Sequence, residues 1–511
     1  MLEVDVVVVG FGAAGAAATL AAADLGASVL ILEKQEADAH TPSTRMSGGI
    51  IMGVTDPAAG SRYLDACARG QIPGAVNQAW ARYATELVTW LDKQGTDLRL
   101  VPFGGAEHAS FDGAEAIVTY RQGRTVGGEE VQVRPTDNPT QAALGWQARR
   151  ADPSLRTGTQ LMAALIRAVH GRPGVSVRWG SPVEGLVRDA GGRVVGVRTA
   201  GEVVRARRGV VLATGGFEYS DAMKATFLPA GPVYFYGNPG NTGDGIRLAQ
   251  SVGADLWHMT SVVGRGIAHF TTPDGRGLAF NIGIDPPGYV ITDRHGRRYA
   301  NEYPQARQKH NFYYEMTGYD ADRAEFSRIP SFWFFDERRF RERPLTPRTV
   351  GAPAVGFYDW SPDNEREVEL GWIRRGTSIA EVAEAAGVTD PARAAREVYE
   401  YNAGCRGGRD ALGRPASSLV ALDRPPFYCV PLYPGGSNTA GGPRRDEHAR
   451  VLDVSGRPIP GLLAAGNVGA AFGALYPADG GNLSEALCFG RIAAETACGP
   501  YPKQHLELNH L

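Results

Sequence analysis

The sequence predicts an α/β protein: a doubly wound, Rossmann-like domain with an inserted β-meander, followed by a separate α+β cap domain. Three observations predict it. A β-branched run at 4–9 enters a glycine turn and an Ala-rich helix, residues 175–212 alternate in the manner of antiparallel strands, and the end of the chain returns to a strand, a loop and an Ala-rich helix. The final return implies that the first domain is discontinuous.

The glycine turn after the first strand is typical of a dinucleotide site. Gly10 permits the tight turn, Gly12 lets a pyrophosphate approach the backbone, and Gly15 lets the helix pack close to the strand. The amides that open the helix would face the phosphates. Glu33, at the end of the second strand, is placed to accept the ribose hydroxyls. The dinucleotide contacts predicted in this unit are Gly10, Gly12, Ala14, Gly15, Glu33 and Lys34.

Composition narrows the class of protein. With 511 residues, 43% of them hydrophobic, the chain can bury a large core and should form about two or more domains. A formal net charge of −2 gives no electrostatic argument for nucleic acid or anionic membranes. The five cysteines lack CxxC spacing, so we expect no metal site and no disulfide framework. No apolar stretch approaches a membrane span and no basic leader precedes the first strand, which favours a reducing cytoplasm.

Changes in amino-acid composition along the chain predict the domain boundaries. Residues 1–258 form the first part of the dinucleotide domain, 259–430 an aromatic-rich cap, and 431–511 the returning part. Between the first βαβ unit and the next helices, a loop of hydroxyls and glycines at 40–53 would lie along a cofactor face, or else form an ordinary surface turn. A second glycine loop opens a helix at Asp244, which could cap that helix or hold a polar ligand.

These motifs together resemble the FAD-dependent fumarate reductase and succinate dehydrogenase flavoprotein superfamily, most closely its branch of 3-ketosteroid Δ1-dehydrogenases. The resemblance rests on the ordered segments GFGAAG with Glu33, STRMSGG, ATGGF, TGDGI, GRRYANE, PPFYCVPLYPGG and AAGN. It implies a Rossmann-like FAD-binding domain of the glutathione-reductase type. Some relatives attach FAD through a His in the early loop, but the matching position here is Pro42, so the resemblance implies noncovalent FAD.

The resemblance also assigns cofactor contacts residue by residue. They comprise the loop beside the flavin, a strand residue at the adenine, the pyrophosphate-side strand end and four residues at the flavin ring. In that order they are Ser43, Thr44, Ser47, Gly48 and Gly49; Val183; Ala213, Thr214 and Gly215; and Asp244, Asn467, Asn482 and Leu483. A helix amino terminus at Asn482 would stabilise negative charge on a reduced flavin.

The terminal loop matches the ketosteroid dehydrogenase pattern, in which a Tyr hydroxyl and a Gly amide hold the ketone oxygen of the substrate. Tyr476, Pro477 and Gly480 keep that spacing. Two fixed donors would stabilise the enolate charge that develops when an α-proton leaves. Otherwise Tyr476 is a core tyrosine in a tight turn. The His pair and the terminal Arg with which fumarate reductases clamp a dicarboxylate are missing, which argues against fumarate as substrate.

The base is less well defined by the sequence. Where the ketosteroid enzymes have a Tyr and the fumarate reductases an Arg, this chain has Ala306, with Tyr303 and Arg307 on either side. Either could serve, and Arg307 could also be a plain surface residue. An unperturbed Tyr would need a cationic or hydrogen-bonding neighbour to act as base. Tyr120 lies in the region where the steroid enzymes bring another active-site Tyr.

The sequence thus predicts an FAD-dependent dehydrogenase that introduces a C=C bond beside the carbonyl of a cyclic ketone. With one dinucleotide fingerprint, electrons would leave to an external acceptor such as oxygen, a quinone or a redox protein. Two alternatives stay open: reduction of an activated alkene such as an enone, with Arg307 as proton donor, and a flavin-fold regulator without turnover. The aromatic residues of the cap favour an apolar ring system as substrate, while its arginines would equally suit an acid.

Overall fold

Two large β-sheets carry the fold. The structure is a computed structural model that describes residues 2–123, 125–126, 129–130, 157–284, 288–303 and 310–499. In chain order the strands are β1 (Leu2–Val9), β2 (Val29–Leu32), β3 (Ile51–Val54), β4 (Leu100–Gly104), β5 (Ile117–Gln122), β6 (Thr125–Val126), β7 (Glu129–Glu130), β8 (Val175–Arg178), β9 (Val183–Arg188), β10 (Val194–Thr199), β11 (Val203–Leu212), β12 (Tyr234–Phe235), β13 (Leu256–Trp257), β14 (Val262–Thr271), β15 (Gly277–Phe280), β16 (Tyr289–Thr292), β17 (Ser331–Asp336), β18 (Arg374–Gly376), β19 (Phe427–Thr439), β20 (Gly442–Pro443), β21 (Arg450–Leu452) and β22 (Pro458–Ala464).

Helices flank these sheets, and several begin at a side-chain cap. Ser220, Ser378 and Asp390, for example, each accept a hydrogen bond from an amide in the first turn of the helix that they precede. The α-helices are α1 (Ala13–Asp24), α2 (Ser43–Met46), α3 (Pro57–Ala68), α4 (Gly74–Thr85), α5 (Leu87–Lys93), α6 (Thr157–His170), α7 (Asp221–Phe227), α8 (Asp244–Gln250), α9 (Phe312–Met316), α10 (Glu337–Glu342), α11 (Glu365–Glu369), α12 (Ile379–Ala386), α13 (Pro391–Arg406) and α14 (Gly481–Cys498).

The first sheet is the predicted Rossmann-like sheet. Its order is β21-β22-β11-β1-β2-β8, and β1 pairs in parallel with β2 and β11. β9, β10 and β11 form the predicted antiparallel meander, which confirms the insertion. β22 pairs in parallel with β11, so the end of the chain does return to this sheet. The assignment of residues 175–178 to the meander was wrong: β8 pairs in parallel with β2, because α6 carries the chain across before it.

The second sheet is built around β19. This strand pairs antiparallel with β14, β17 and β18 and parallel with β12. The sheet therefore takes one strand from before residue 258, and β19 runs through residue 430. The domain boundaries at 258 and 430 stay a prediction. A smaller sheet, β3-β5-β4, packs beside α4.

Small residues bring helices α1 and α14 into close contact. α1 lies along α14, and a Cβ atom at Gly490 would stand only 2.5 Å from the carbonyl oxygen of Ala14. α1 is buried from Ala13 to Ala22, which explains why its sequence is apolar on all sides. The amino termini of α1 and α14 thus meet the carboxyl ends of β1, β2 and β11. Within the described part of the chain, no helix combines the length and the apolar character that crossing a bilayer needs.

Candidate active site

A cavity of about 570 Å³ opens where the strands of the first sheet end. Its wall includes the last or next residue of three strands, Val9, Leu32 and Ala213. Parallel strands with helices on their faces place ligands at this edge. The structure brings most of the predicted cofactor residues together around the cavity. They are Gly10, Gly12, Ala14, Glu33, Lys34, Ser43, Thr44, Ser47, Val183, Ala213, Thr214, Gly215, Asp244, Asn467, Asn482 and Leu483.

The glycine turn has the geometry that its sequence predicts. Gly10 has a φ of +100°, and a Cβ atom there would lie 2.5 Å from the carbonyl oxygen of Ala213. A Cβ at Gly15 would lie 2.1 Å from the carbonyl oxygen of Gly10, so Gly15 packs beneath the turn and does not line the cavity. Gly12 is different, because its nearest neighbour would be the hydroxyl of Thr44 at 3.6 Å. Of these three glycines, Gly12 is the one with room beside its backbone for a ligand.

Glu33 organises the ribose end of the cavity. One carboxylate oxygen accepts the amide of Phe11 at 2.8 Å and the other accepts the amide of Gln35 at 2.9 Å. Each oxygen retains a lone pair with which it can accept a ribose hydroxyl. Lys34 follows, and its ammonium lies 2.5 Å from the carboxylate of Asp244. Asp244 opens α8 beside Lys34, and the Lys34 ammonium lowers the pKa of Asp244 against the effect of burial. The assignment of Asp244 to the flavin ring stays a prediction.

The loop at 40–53 is more ordered than predicted. It contains α2 and the start of β3. Thr44 accepts the amide of Ala13 at 3.0 Å, so one amide at the start of α1 is held by protein. Ser47 donates to the carbonyl of Thr44 at 2.7 Å and accepts the amide of Gly49 at 3.1 Å. Gly48 and Gly49 shape this turn from outside the cavity wall.

The opposite end of the cavity lies at the start of α14. Asn467 and Leu483 line it, and the amide side chains of Asn438 and Asn482 pair with each other at 2.8 Å. Several residues of this wall were not predicted from the sequence. They are Phe11, Pro42, Met46, Tyr236, Asn238, Asn241, Ser437 and Asn438. Asn238 and Asn241 had a signal, since both lie in the glycine-rich loop that leads to Asp244.

Tyr476 stands beside this end. Its hydroxyl accepts the amide of Asn482 at 2.9 Å, and the residue is only 8% exposed. Burial raises the pKa of Tyr476 well above its ordinary value, so the phenol keeps its proton at neutral pH. Gly480 has a φ of +89° and caps α14, where a Cβ would overlap the carbonyl of Ile50 at 2.6 Å. The predicted pair of donors therefore sits in one tight turn at the helix amino terminus.

Tyr120, predicted as a further active-site Tyr, and Tyr303, a candidate base, do not line the cavity. Tyr120, on β5, packs its ring against Gly53, and burial raises the pKa of its phenol, which does not favour a base. Tyr303 is half-buried, and its amide donates to the side chain of Asn301 at 3.1 Å. Its neighbour Glu302 is held in a buried ion cluster with Arg298, which anchors this segment. Arg307, like position 306, lies outside the described residues.

A buried polar chain beside Tyr476 had no signal in the sequence. His310 contacts the carboxylate of Glu107 through Nδ1 at 2.6 Å and the guanidinium of Arg265 through Nε2 at 3.0 Å. Arg265 also donates to Asn281 at 2.8 Å. The ring of His310 lies 4.6 Å from that of Tyr476, centroid to centroid. Strand β14 and the start of α9 bring these groups together from distant parts of the chain.

Glu218 is a fully buried carboxyl behind the cavity wall. It accepts the side-chain amide of Asn241 at 2.6 Å and the hydroxyl of Thr439 at 2.9 Å. Burial raises its pKa from 4.5 to about 7, although these hydrogen bonds oppose the shift. Compared with an exposed carboxyl, Glu218 therefore keeps its proton to a higher pH in the folded protein.

A pH dependence of stability follows from Glu218. Because its pKa is higher in the folded state, its contribution is complete below about pH 4.5 and is lost as the pH rises through about 7. The loss amounts to roughly 3 kcal/mol. Melting temperatures of the holoenzyme between pH 5 and 8 should fall for the wild type relative to Glu218→Gln, which stays neutral. Glu384→Gln, on the exposed face of α12, is the control; parallel curves for the wild type and Glu218→Gln would contradict the assignment.

Comparisons with known proteins agree with this geometry. A family model described as FAD binding domain matches residues 5–483. The chain is 28% identical to 4-oxocyclohex-2-ene-1-carboxylate 5-dehydrogenase of Sinomonas cyclohexanicum, covering 95% of this chain and 92% of that protein. It is 28% identical to 3-oxosteroid 1-dehydrogenase of Mycobacterium tuberculosis, covering 96% and 98%. In fold it resembles the crystal structure of 3-ketosteroid Δ1-dehydrogenase from Sterolibacterium denitrificans, with a TM-score of 0.79, 24% identity and coverage of 98% and 100%.

Proposed function

Because this chain belongs to the FAD binding domain family, we propose that it is a dehydrogenase that forms a C=C bond beside the carbonyl of a cyclic ketone. FAD is its cofactor, and the protein is an oxidoreductase that acts on CH–CH groups. The observation that carries the proposal is the position of Tyr476, whose hydroxyl accepts the backbone amide of Asn482, a residue of the cavity wall. The relatives named above, which by their names oxidise ring ketones, support it.

The cavity suits FAD in size and chemistry. Its volume of about 570 Å³ falls in the range of cofactor sites. The Gly12 backbone leaves room for a pyrophosphate, Glu33 would hold the ribose, and the start of α14 would face the flavin ring. When bound, FAD supplies the acceptor for a hydride. Pro42 lies in the cavity wall at the position where covalent attachment would need a His, so noncovalent binding is proposed.

Tyr476 would polarise the substrate carbonyl. Its oxygen accepts the Asn482 amide, which leaves its own O–H proton to donate to a ligand oxygen. The raised pKa of Tyr476 keeps that proton in place across neutral pH. The Gly480 amide is the second proposed donor. Together they would stabilise the enolate oxygen while an α-proton leaves, which is the charge that most needs stabilisation in this reaction.

The base is proposed to come from the segment at 303–307, with Tyr303 or Arg307 as its candidates. The buried ion pair between Arg298 and Glu302, at 2.7 Å, would position this segment. Electrons would then leave to an external acceptor, which is oxygen, a quinone or a redox protein. A reducing cytoplasm is proposed as the compartment, supported by five cysteines that are all free thiols.

Anaerobic mixing tests the reaction. A ring ketone should bleach the yellow absorbance of the holoenzyme, because the flavin is reduced as the substrate is desaturated. The corresponding ring alcohol, which lacks the carbonyl, is the control and should leave the spectrum unchanged. If ring ketones leave the flavin oxidised while an enone reoxidises a pre-reduced enzyme, the protein is a reductase and the proposal is wrong.

A further inference from the structure

Arg265 is a buried cation that contacts no carboxylate within the described part of the chain. Its side chain extends from β14, and the residue is only 8% exposed. Its terminal nitrogens contact Asn281 at 2.8 Å and His310 at 3.0 Å, while its Nε is buried without a hydrogen-bond partner. Among the residues that the structure describes, no acidic side chain lies within ion-pair distance of this guanidinium.

Donor chemistry defines the state of the neighbouring imidazole. A guanidinium has only donors, so the Nε2 atom of His310 must accept from Arg265. The imidazole proton is then on Nδ1, where it is donated to Glu107 at 2.6 Å. The carboxylate of Glu107 is thus separated from the guanidinium by the width of the ring. The positive charge of Arg265 is therefore largely available to pair with another anion.

The guanidinium lies next to the proposed reaction site. It sits over the ring of Tyr236, 5.7 Å from the ring centre, and Tyr236 lines the cofactor cavity. On its other side, His310 packs its ring 4.6 Å from the ring of Tyr476. A small ring ketone held by Tyr476 would therefore have a cation within reach of its far side.

A buried guanidinium such as that of Arg265 needs an interaction that offsets the cost of removing it from water. Burying a guanidinium with only neutral partners is costly, whereas a carboxylate accepting from it forms a strong charge-assisted pair. We infer that Arg265 binds a carboxylate carried by the substrate, so that the substrates of this enzyme are small cyclic keto acids. This inference rests on the proposed function and goes beyond it by naming the charge of the substrate.

A pair of probes tests the inference without any variant. The holoenzyme is mixed anaerobically with 4-oxocyclohexanecarboxylate and with its carboxamide, and kcat/KM is obtained from the rate of flavin bleaching at each concentration. The acid should be preferred about a hundredfold, the size expected for a charge-assisted pair. Equal rates for the acid and the amide would overturn the inference and leave the proposed function intact.

Variants then assign the preference to one residue. Arg265→Gln should reduce the preference for the acid to less than about threefold, and Arg265→Lys, which keeps the charge but not the fork, should retain part of it. Arg276→Gln is the matched control, since Arg276 follows β14 but is 52% exposed and pairs with Asp274. A preference that survives in Arg265→Gln would refute the role of this residue.

A binding measurement separates this inference from the reaction. Benzoate, a carboxylate that cannot be desaturated, should bind the wild-type holoenzyme in a calorimetric titration, and its affinity should fall at least tenfold in Arg265→Gln. If no ring ketone bleaches the flavin but benzoate binding still depends on Arg265, the proposed function fails and the anion site stands. If benzoate binds both proteins equally, the anion site is refuted.

Discussion

Replacing Tyr476 with Phe is expected to lower the turnover of a cognate ring ketone about a hundredfold while FAD stays bound, because one of two donors to the developing oxyanion is lost. The ring remains, so its contacts with His310 and Phe472 are kept. Stopped-flow bleaching of the flavin measures the loss. Most of it should lie in the rate constant at saturating ketone, because the charge develops only as the proton leaves.

Stability measurements separate this role from a structural one. The Phe variant also leaves the amide of Asn482 without its acceptor, which should cost about 1 kcal/mol in the free energy of unfolding. Tyr399→Phe, on a residue that is 70% exposed on α13, removes a hydroxyl far from the cavity and should change neither quantity. An unaltered turnover in Tyr476→Phe, with FAD bound, would show that the phenol does not polarise the substrate.

The glycine turn gives the second large effect, and it differs between two neighbouring glycines. Gly12→Ala should fold normally, since Gly12 has ordinary extended dihedrals and its nearest neighbour is 3.6 Å away, yet its methyl group would occupy the phosphate approach. We expect FAD affinity to fall at least tenfold. Gly15→Ala places a methyl 2.1 Å from a backbone carbonyl and should destabilise the fold by at least about 2 kcal/mol.

Two readouts distinguish these outcomes. Flavin fluorescence on titration of the apoprotein reports affinity, and urea unfolding reports stability. Gly201→Ala, at an exposed turn with nothing within 4 Å, is the control for adding a methyl group. A Gly12→Ala protein that binds FAD as tightly as the wild type would mean that the pyrophosphate does not approach the backbone there.

Local patterns predicted the first domain well. The turn at Gly10, the acid at the end of β2 and the meander of β9, β10 and β11 are each encoded within about thirty residues. Signals of such short range leave few alternative structures. The return of the chain to the first sheet through β22 was predicted because the sequence there again reads as a strand, a loop and an Ala-rich helix. Residues 175–178 were misassigned because alternation alone cannot distinguish a parallel edge strand from the meander that follows it.

Contacts between distant segments could not be predicted. The ion pair between Asp244 and Lys34 joins residues more than two hundred positions apart, and no local pattern predicts it. The meeting of Glu107, Arg265 and His310 depends on how three elements pack, and none of these residues stands in a motif. Tyr303 and Arg307 were singled out because a motif lies beside them, which says nothing about where their side chains point.

β19 has a consequence for anyone who wishes to exchange substrate-recognition parts between such proteins. The strand begins at Phe427 among the partners of the second sheet and ends at Thr439, immediately after Asn438 in the cofactor wall. A chimaera joined at residue 430 would place its seam inside a continuous ladder of backbone hydrogen bonds. A graft must therefore include all of β19, together with Asn438, which pairs with Asn482. Otherwise the transplanted segment will not be aligned with the flavin.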